Sequence, residues 1–171
     1  KKKIKKMVME RVNGKIPILL GVGGNKTRAI VETLKNDDFT GVDAILSVVP
    51  YYNKPSQEGI YQHYKAISEA TDLPIVLYNV PGRTGVNMKA ETTLRIARDF
   101  KNVIAIKEAS GDISQMDDII KNKPANFDVI SGDDGITFPL ITLGAVGIIS
   151  VIGNAFPREF SRMVRLALQG D

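Results

Sequence analysis

Short apolar runs rich in β-branched residues return along the whole of this chain, each followed by a stretch with helical periodicity. That alternation limits the folds open to it more than any other feature. Residues 16–20, 44–49, 73–81, 103–106, 127–130 and 147–151 read as strands. Helices are predicted over about 26–36, 56–70, 90–99 and 113–120, from the turn at 131–135 to about 143, and over 157–169. Strands recurring at roughly 20 to 30 residues with a helix between each pair form the βα repeat, and such strands lie parallel with both faces covered. No nucleotide fingerprint and no evident switch point interrupt the series. The expectation is therefore an α/β TIM (β/α)8 barrel, represented here by about six βα units, rather than a doubly wound sheet. The chain opens on a helix, with Ile4, Met7, Val8 and Val12 at helical spacing and Asn13-Gly14 as the stop. No strand precedes it, which is odd for the class.

Composition excludes several kinds of function. The absence of cysteine rules out disulfides and thiolate metal sites, and no apolar run approaches the ~18 residues of a membrane span or resembles a secretory signal. A cytoplasmic location is expected. The formal charge of +4 has a local source, because Lys1, Lys2, Lys3, Lys5 and Lys6 supply it. Without them 18 basic residues face 19 acidic ones. A solvated helix end explains this cluster better than a nucleic-acid patch, which would persist across a face and carry aromatics.

Lys107 ends the run Val103-Ile104-Ala105-Ile106, which reads as a strand buried on both faces. An amine at the rim of a buried sheet loses hydration; the neutral form gains, and a neutral amine is a nucleophile toward carbonyls. The competing reading is a lysine that snorkels to solvent or pairs with Glu108. Elsewhere the signals are weaker. Gly21, Gly23 and Gly24 miss the dinucleotide spacing and the Walker pattern, so a tight turn needing positive φ is preferred to a phosphate cradle. His63, the sole histidine, reads as a helix-surface residue, and Asp133 with Asp134 as helix caps rather than metal ligands. Tyr51 and Tyr52, adjacent at a strand's carboxyl end, cannot both face the core. In a parallel α/β fold the chemistry gathers at those ends, where Tyr52, Tyr78, Arg83, Lys107, Gly132 and Ile149 all fall.

Five runs, in order, carry a resemblance. They are Pro50-Tyr51-Tyr52-Asn53-Lys54-Pro55-Ser56-Gln57-Glu58-Gly59, Tyr78-Asn79-Val80-Pro81-Gly82-Arg83-Thr84-Gly85, Ile106-Lys107-Glu108-Ala109-Ser110-Gly111, Ser131-Gly132-Asp133-Asp134 and Gly147-Ile148-Ile149-Ser150-Val151. Over nearly its whole length the chain resembles the dihydrodipicolinate synthase family of pyruvate-dependent class I aldolases. The resemblance implies condensation of pyruvate with L-aspartate 4-semialdehyde to 4-hydroxy-tetrahydrodipicolinate, a step of diaminopimelate and lysine biosynthesis. It implies no cofactor and no metal, and a homotetramer built as a dimer of dimers. It makes Lys107 the amine that forms a Schiff base with pyruvate and Tyr78 a proton relay. Tyr52 would join that relay across a dimer interface. Arg83 matches the position that orients the semialdehyde, in keeping with a guanidinium's fork for carboxylate. Gly132 and Ile149 match backbone contacts to substrate or to the lysine. Asn25 and Tyr51 match two positions of a lysine-effector site, although Ala29 stands where regulated relatives carry glutamate.

Two departures qualify the match. The family's Gly-Thr-Thr-Gly-Glu run, whose threonine completes the relay, has no counterpart here. The family barrel also has eight units and a helical C-terminal region. Residues 1–171 are therefore expected to be an internal part of a single barrel domain, with isolated activity in doubt. Two other readings stay open. One is a family aldolase acting on N-acetylneuraminate or a keto-deoxy sugar acid, against which Arg83-Thr84-Gly85 speaks. The other is a non-catalytic or phosphate-ligand-binding barrel in which Lys107 is only structural.

Overall fold

The computed structural model describes residues 2–170. Its strands β1 (Leu19–Gly21), β2 (Ala44–Val48), β3 (Ile75–Asn79), β4 (Val103–Glu108) and β5 (Asp128–Ser131) form one five-stranded sheet in the order β1-β2-β3-β4-β5. Every neighbouring pair is parallel. A doubly wound sheet reverses its order partway, and this one never does. With right-handed crossovers, unreversed order sends every connecting helix to the same face, which is how a barrel wall advances.

The helices are α1 (Lys2–Val12), α2 (Thr27–Asn36), α3 (Gln57–Ser68), the single turn α4 (Pro81–Thr84), α5 (Ala90–Asp99), α6 (Ile113–Asn122), α7 (Thr137–Leu143) and α8 (Pro157–Gln169). Alternation along the strands divides the sheet. Ile45, Leu77, Ile106 and Val129 belong to the helix side and pack with Ile60, Ile67, Ile96 and Ile119 in a core that excludes water. Each such side chain contributes about 1.5–3 kcal/mol by leaving solvent. Leu46, Val48, Tyr78, Lys107 and Ile130 alternate to the opposite face. α3 starts where its sequence predicts, because Ser56 Oγ accepts a hydrogen bond from the Gly59 N–H at 3.1 Å.

Several expectations need correction. The predicted sixth strand makes only an isolated bridge between Ser131 and Ile148. It pairs along β5 on one side only, and the N–H groups of Val151 and Ile152 turn instead to the Asp134 carboxylate. Ile104 is not buried: the register of β3 on β4 shifts between Ile75 and Val76, leaving it 37% exposed in a bulge. The stripe Ile4, Met7 and Val8 also lies open, because among the described residues no strand pairs with the far side of β1 for α1 to cover. α1 docks instead through Met9 against Gly41 and Lys5 above the Phe39 ring. None of Gly21, Gly23 and Gly24 has positive φ. Gly23 serves for space, since a Cβ there would stand 2.9 Å from Val48 N. His63 is not on the surface; it is 2% exposed and shares a 2.7 Å hydrogen bond with Thr27 Oγ1.

Candidate active site

β3 and β4 pair so that Tyr78 lies beside Lys107. Neighbours in a parallel ladder point the same way, and the Lys107 Nζ stands 4.3 Å from the centroid of the Tyr78 ring. Lys107 is only 9% exposed, so it has not snorkelled to solvent. Burial lowers its pKa, opposed by the negative charge of Asp134. Burial likewise raises the Tyr78 pKa, opposed by the positive charge of Arg83. The amine is thereby moved toward its neutral, nucleophilic form, while the phenol keeps its proton. Glu108 does not serve as its ion-pair partner; it is fully buried and accepts from Asn79, Ser110 and Gln115.

The lysine's stem runs over Gly132. A methyl group at that position would lie 2.7 Å from the Cβ of Ala109 and 3.0 Å from the Cε of Lys107, so only glycine lets the stem pass. The Gly132 N–H donates to the Glu108 carbonyl at 2.8 Å, tying the end of β5 to the end of β4. Ile149 is half-buried, and its N–H donates to the Ser131 carbonyl at 3.0 Å. Asp134 holds the segment that follows, accepting from Ser150 Oγ at 2.5 Å and from the Ile152 N–H at 2.9 Å. Burial pushes the Asp134 carboxyl up, but these bonds, that of Val151 and the charge of Lys107 outweigh it and hold the pKa down. Asp133 does cap, accepting from the Gly135 N–H at 2.9 Å.

Arg83 sits exposed on α4, whose last residue is followed by Gly85 at φ 76. Its charge reaches Tyr78. Tyr52 is 87% exposed at φ 72, and its N–H donates to the Thr84 carbonyl at 3.1 Å, which couples the loop after β2 to α4. The structure thus groups Lys107, Tyr78 and Gly132, with Arg83 near enough to act on Tyr78, and leaves the Tyr52 ring in solvent. Asn25, Ala29 and Tyr51 line a different, open-sided cavity of about 650 Å³ between α1, α2 and the β1 edge, which includes neither Lys107 nor Tyr78. Asn25 is tied to the loop after β2, because its carbonyl accepts from Asn53 Nδ2 at 3.0 Å.

The link of Asp134 to Lys107 escaped sequence reasoning, which took this residue as a cap. Two adjacent aspartates facing different partners cannot be separated by spacing alone. The buried carboxylate of Glu108 was also missed as a site-shaping group, although a polar residue inside an apolar strand end was its visible signal.

A family profile described as the dihydrodipicolinate synthetase family matches residues 1–171. Two similar proteins, from Phocaeicola vulgatus and Parabacteroides distasonis, are 86% and 82% identical over 171 residues and are both called 4-hydroxy-tetrahydrodipicolinate synthase. In each case the match takes in 100% of this chain and 58% of the relative, so the chain spans little more than half their length. The solved dihydrodipicolinate synthase of Aquifex aeolicus superposes with a TM-score of 0.94 at 40% identity, covering 99% of this chain and 58% of that one. That of Thermotoga maritima gives 0.94 at 47% identity, over 98% and 58% respectively.

Proposed function

The chain belongs to the dihydrodipicolinate synthetase family and its sheet is part of that family's (β/α)8 barrel; from this we propose that, in a protein of its relatives' full length, it condenses pyruvate with L-aspartate 4-semialdehyde. The observation that carries the reading is the Lys107 amine at the carboxyl end of β4, on a residue only 9% exposed and with the Tyr78 ring 4.3 Å away. A lysine of ordinary pKa is about 0.04% neutral at pH 7, so the burial that lowers it is part of the chemistry.

The amine attacks the ketone carbon of pyruvate; water leaves and an imine remains. The imine draws electrons from the methyl group, which loses a proton and becomes an enamine carbon. That carbon bonds to the aldehyde carbon of the second substrate, whose oxygen takes up a proton as a hydroxyl. The semialdehyde's amine then displaces Lys107 and closes the ring of 4-hydroxy-tetrahydrodipicolinate. Tyr78, its phenol kept protonated by burial, is the group positioned to pass these protons. Arg83 orients the semialdehyde through its carboxylate, and Gly132 and Ile149 border the adduct. Tyr52 acts from the loop after β2, toward a partner subunit in a homotetramer. The reading includes a cytoplasmic location and an effector role for the cavity lined by Asn25 and Tyr51. A sugar-acid aldolase is less well supported, because both bacterial relatives carry the synthase name and Arg83 suits a carboxylate better than a polyol.

Pyruvate and a hydride reductant should trap a secondary amine on Lys107 in the full-length protein, read by peptide mass spectrometry. Lys107→Arg keeps the charge but cannot form an imine, and should abolish trapping with the fold intact. An adduct on another lysine, or none in folded wild-type protein, would sink the assignment.

A further inference from the structure

Asn79 directly follows Tyr78, and Glu108 directly follows Lys107. Successive strand residues face opposite ways, so this second pair meets on the helix side of the sheet. Both residues are 0% exposed. Asn79 Nδ2 donates to the two Glu108 oxygens at 3.1 and 3.0 Å. The Ser110 N–H donates to Oε1 at 2.8 Å, and Gln115 Nε2 to Oε2 at 3.3 Å.

The backbone fixes which way the Asn79 amide points. The Met88 N–H can only donate, and it takes Asn79 Oδ1 at 3.0 Å, so Nδ2 must turn to the carboxylate. Asn79 Nδ2 also donates to Asn87 Oδ1 at 2.7 Å, and Asn87 Nδ2 to Gln115 Oε1 at 2.8 Å. Every neighbour of the carboxylate is therefore a donor. The surrounding layer, with Leu77 and Ile106 one step back on the same face, is apolar and has no need of a charge for packing. A fully paired network inside such a layer admits one arrangement of its members, because any slip strands a buried polar group.

We propose that Asn79 and Glu108 are a positioning pair, whose hydrogen bonds on the helix side hold the ends of β3 and β4 so that the Tyr78 ring and the Lys107 amine meet on the other. The importance of that meeting rests on the function proposed above; the geometry does not. The groups facing Lys107 are Tyr78 from β3 and Asp134 from the turn after β5, and Arg83 acts on Tyr78. Glu108 faces away, so it works through the backbone.

The test follows the reactivity of Lys107 toward an amine-acylating reagent across pH, by peptide mass spectrometry on full-length protein without pyruvate. Glu108→Gln keeps an oxygen for the Ser110 N–H but sets its NH2 against the donors of Asn79 and Gln115. The strand ends then loosen, the amine reaches water, and its half-reactive pH should rise by about one unit, a tenfold fall in neutral amine. Adding Asn79→Asp re-matches the pair once the Asn87 and Gln115 amides turn over, since the new carboxylate then accepts from Met88, Asn87 and the new amide. The double variant should return to within about 0.3 unit of wild type. A folded Glu108→Gln with the wild-type profile overturns the proposal, as does a folded double variant that stays shifted. If Glu108→Gln alone does not fold, the double variant decides: folding with the wild-type profile supports the pair, and anything else removes it. Wild type that shows the depressed profile but no pyruvate adduct refutes the proposed function and leaves the positioning pair standing.

Discussion

One methyl group at residue 132 is expected to disable the lysine. Gly132→Ala puts a carbon 3.0 Å from Lys107 Cε and 3.2 Å from the Glu108 carbonyl, where backbone cannot yield as a flexible side chain would. Overpacking of this kind costs about 1–3 kcal/mol, measurable by urea unfolding. Misplacing the amine by an ångström should slow pyruvate trapping on the order of 10²-fold. Trapping at the wild-type rate in folded variant would show that the stem has another route. The contrast between these two residues explains what the sequence reveals at this scale. Lys107 is legible because a lysine ending an apolar strand is an anomaly in one dimension. The need for glycine at 132 arises only when β5 is laid against β4, and Asp134 acquires its role by standing near a residue far away in sequence.

Among the elements, α2 and α3 are joined by a titratable pair. Thr27, the first residue of α2, bonds His63 within α3, and the imidazole packs edge-on against Tyr64. Burial lowers the His63 pKa to about 4, while the unfolded chain takes up its proton near 6.5. The unfolded state therefore binds more protons between these values, and stability should rise with pH across that window. Above about 6.5 the neutral ring carries no such penalty; by pH 4 the loss from this group is on the order of 3 kcal/mol. His63→Gln keeps a hydrogen-bonding side chain without the titration, so its urea midpoint should fall less than wild type between pH 7 and 4. Parallel curves would show that His63 charges without resistance. Periodicity located every strand of the sheet and every long helix, because apolar spacing is set by burial within the element. It failed at Ile104, a bulge set by the neighbour's register, and at 147–151, which makes only an isolated bridge to Ser131 before Val151 turns into the helical region. His63 was misjudged because its partner lies on another helix, outside any local pattern.

The molecule as a whole leaves much apolar surface uncovered. Its accessible area is 9946 Å², against roughly 8,300 Å² expected for a complete monomer of this mass, in keeping with a sheet that is part of a larger barrel. Val151 at 73%, Phe156 at 58% and Ile4 at 67% exposed contribute to the excess, as does Tyr52. An aromatic ring held in water on a backbone of positive φ has the character of an interface anchor. Full-length protein should accordingly sediment as a homotetramer at micromolar concentration, and Tyr52→Ala should release smaller species by removing about 2 kcal/mol or more of contact. Wild type and variant sedimenting alike would remove Tyr52 from the interface. The unreversed strand order has a further consequence for how the chain is made. Ala44 pairs with Leu19, Ile75 with Ile45 and Asp128 with Ala105, so each strand finds its partner in the unit synthesised just before it. The connecting loops are short, and closing them costs little entropy. The sheet is thus suited to grow by accretion as the chain leaves the ribosome, each new βα unit docking on a finished edge without waiting for anything still to be translated.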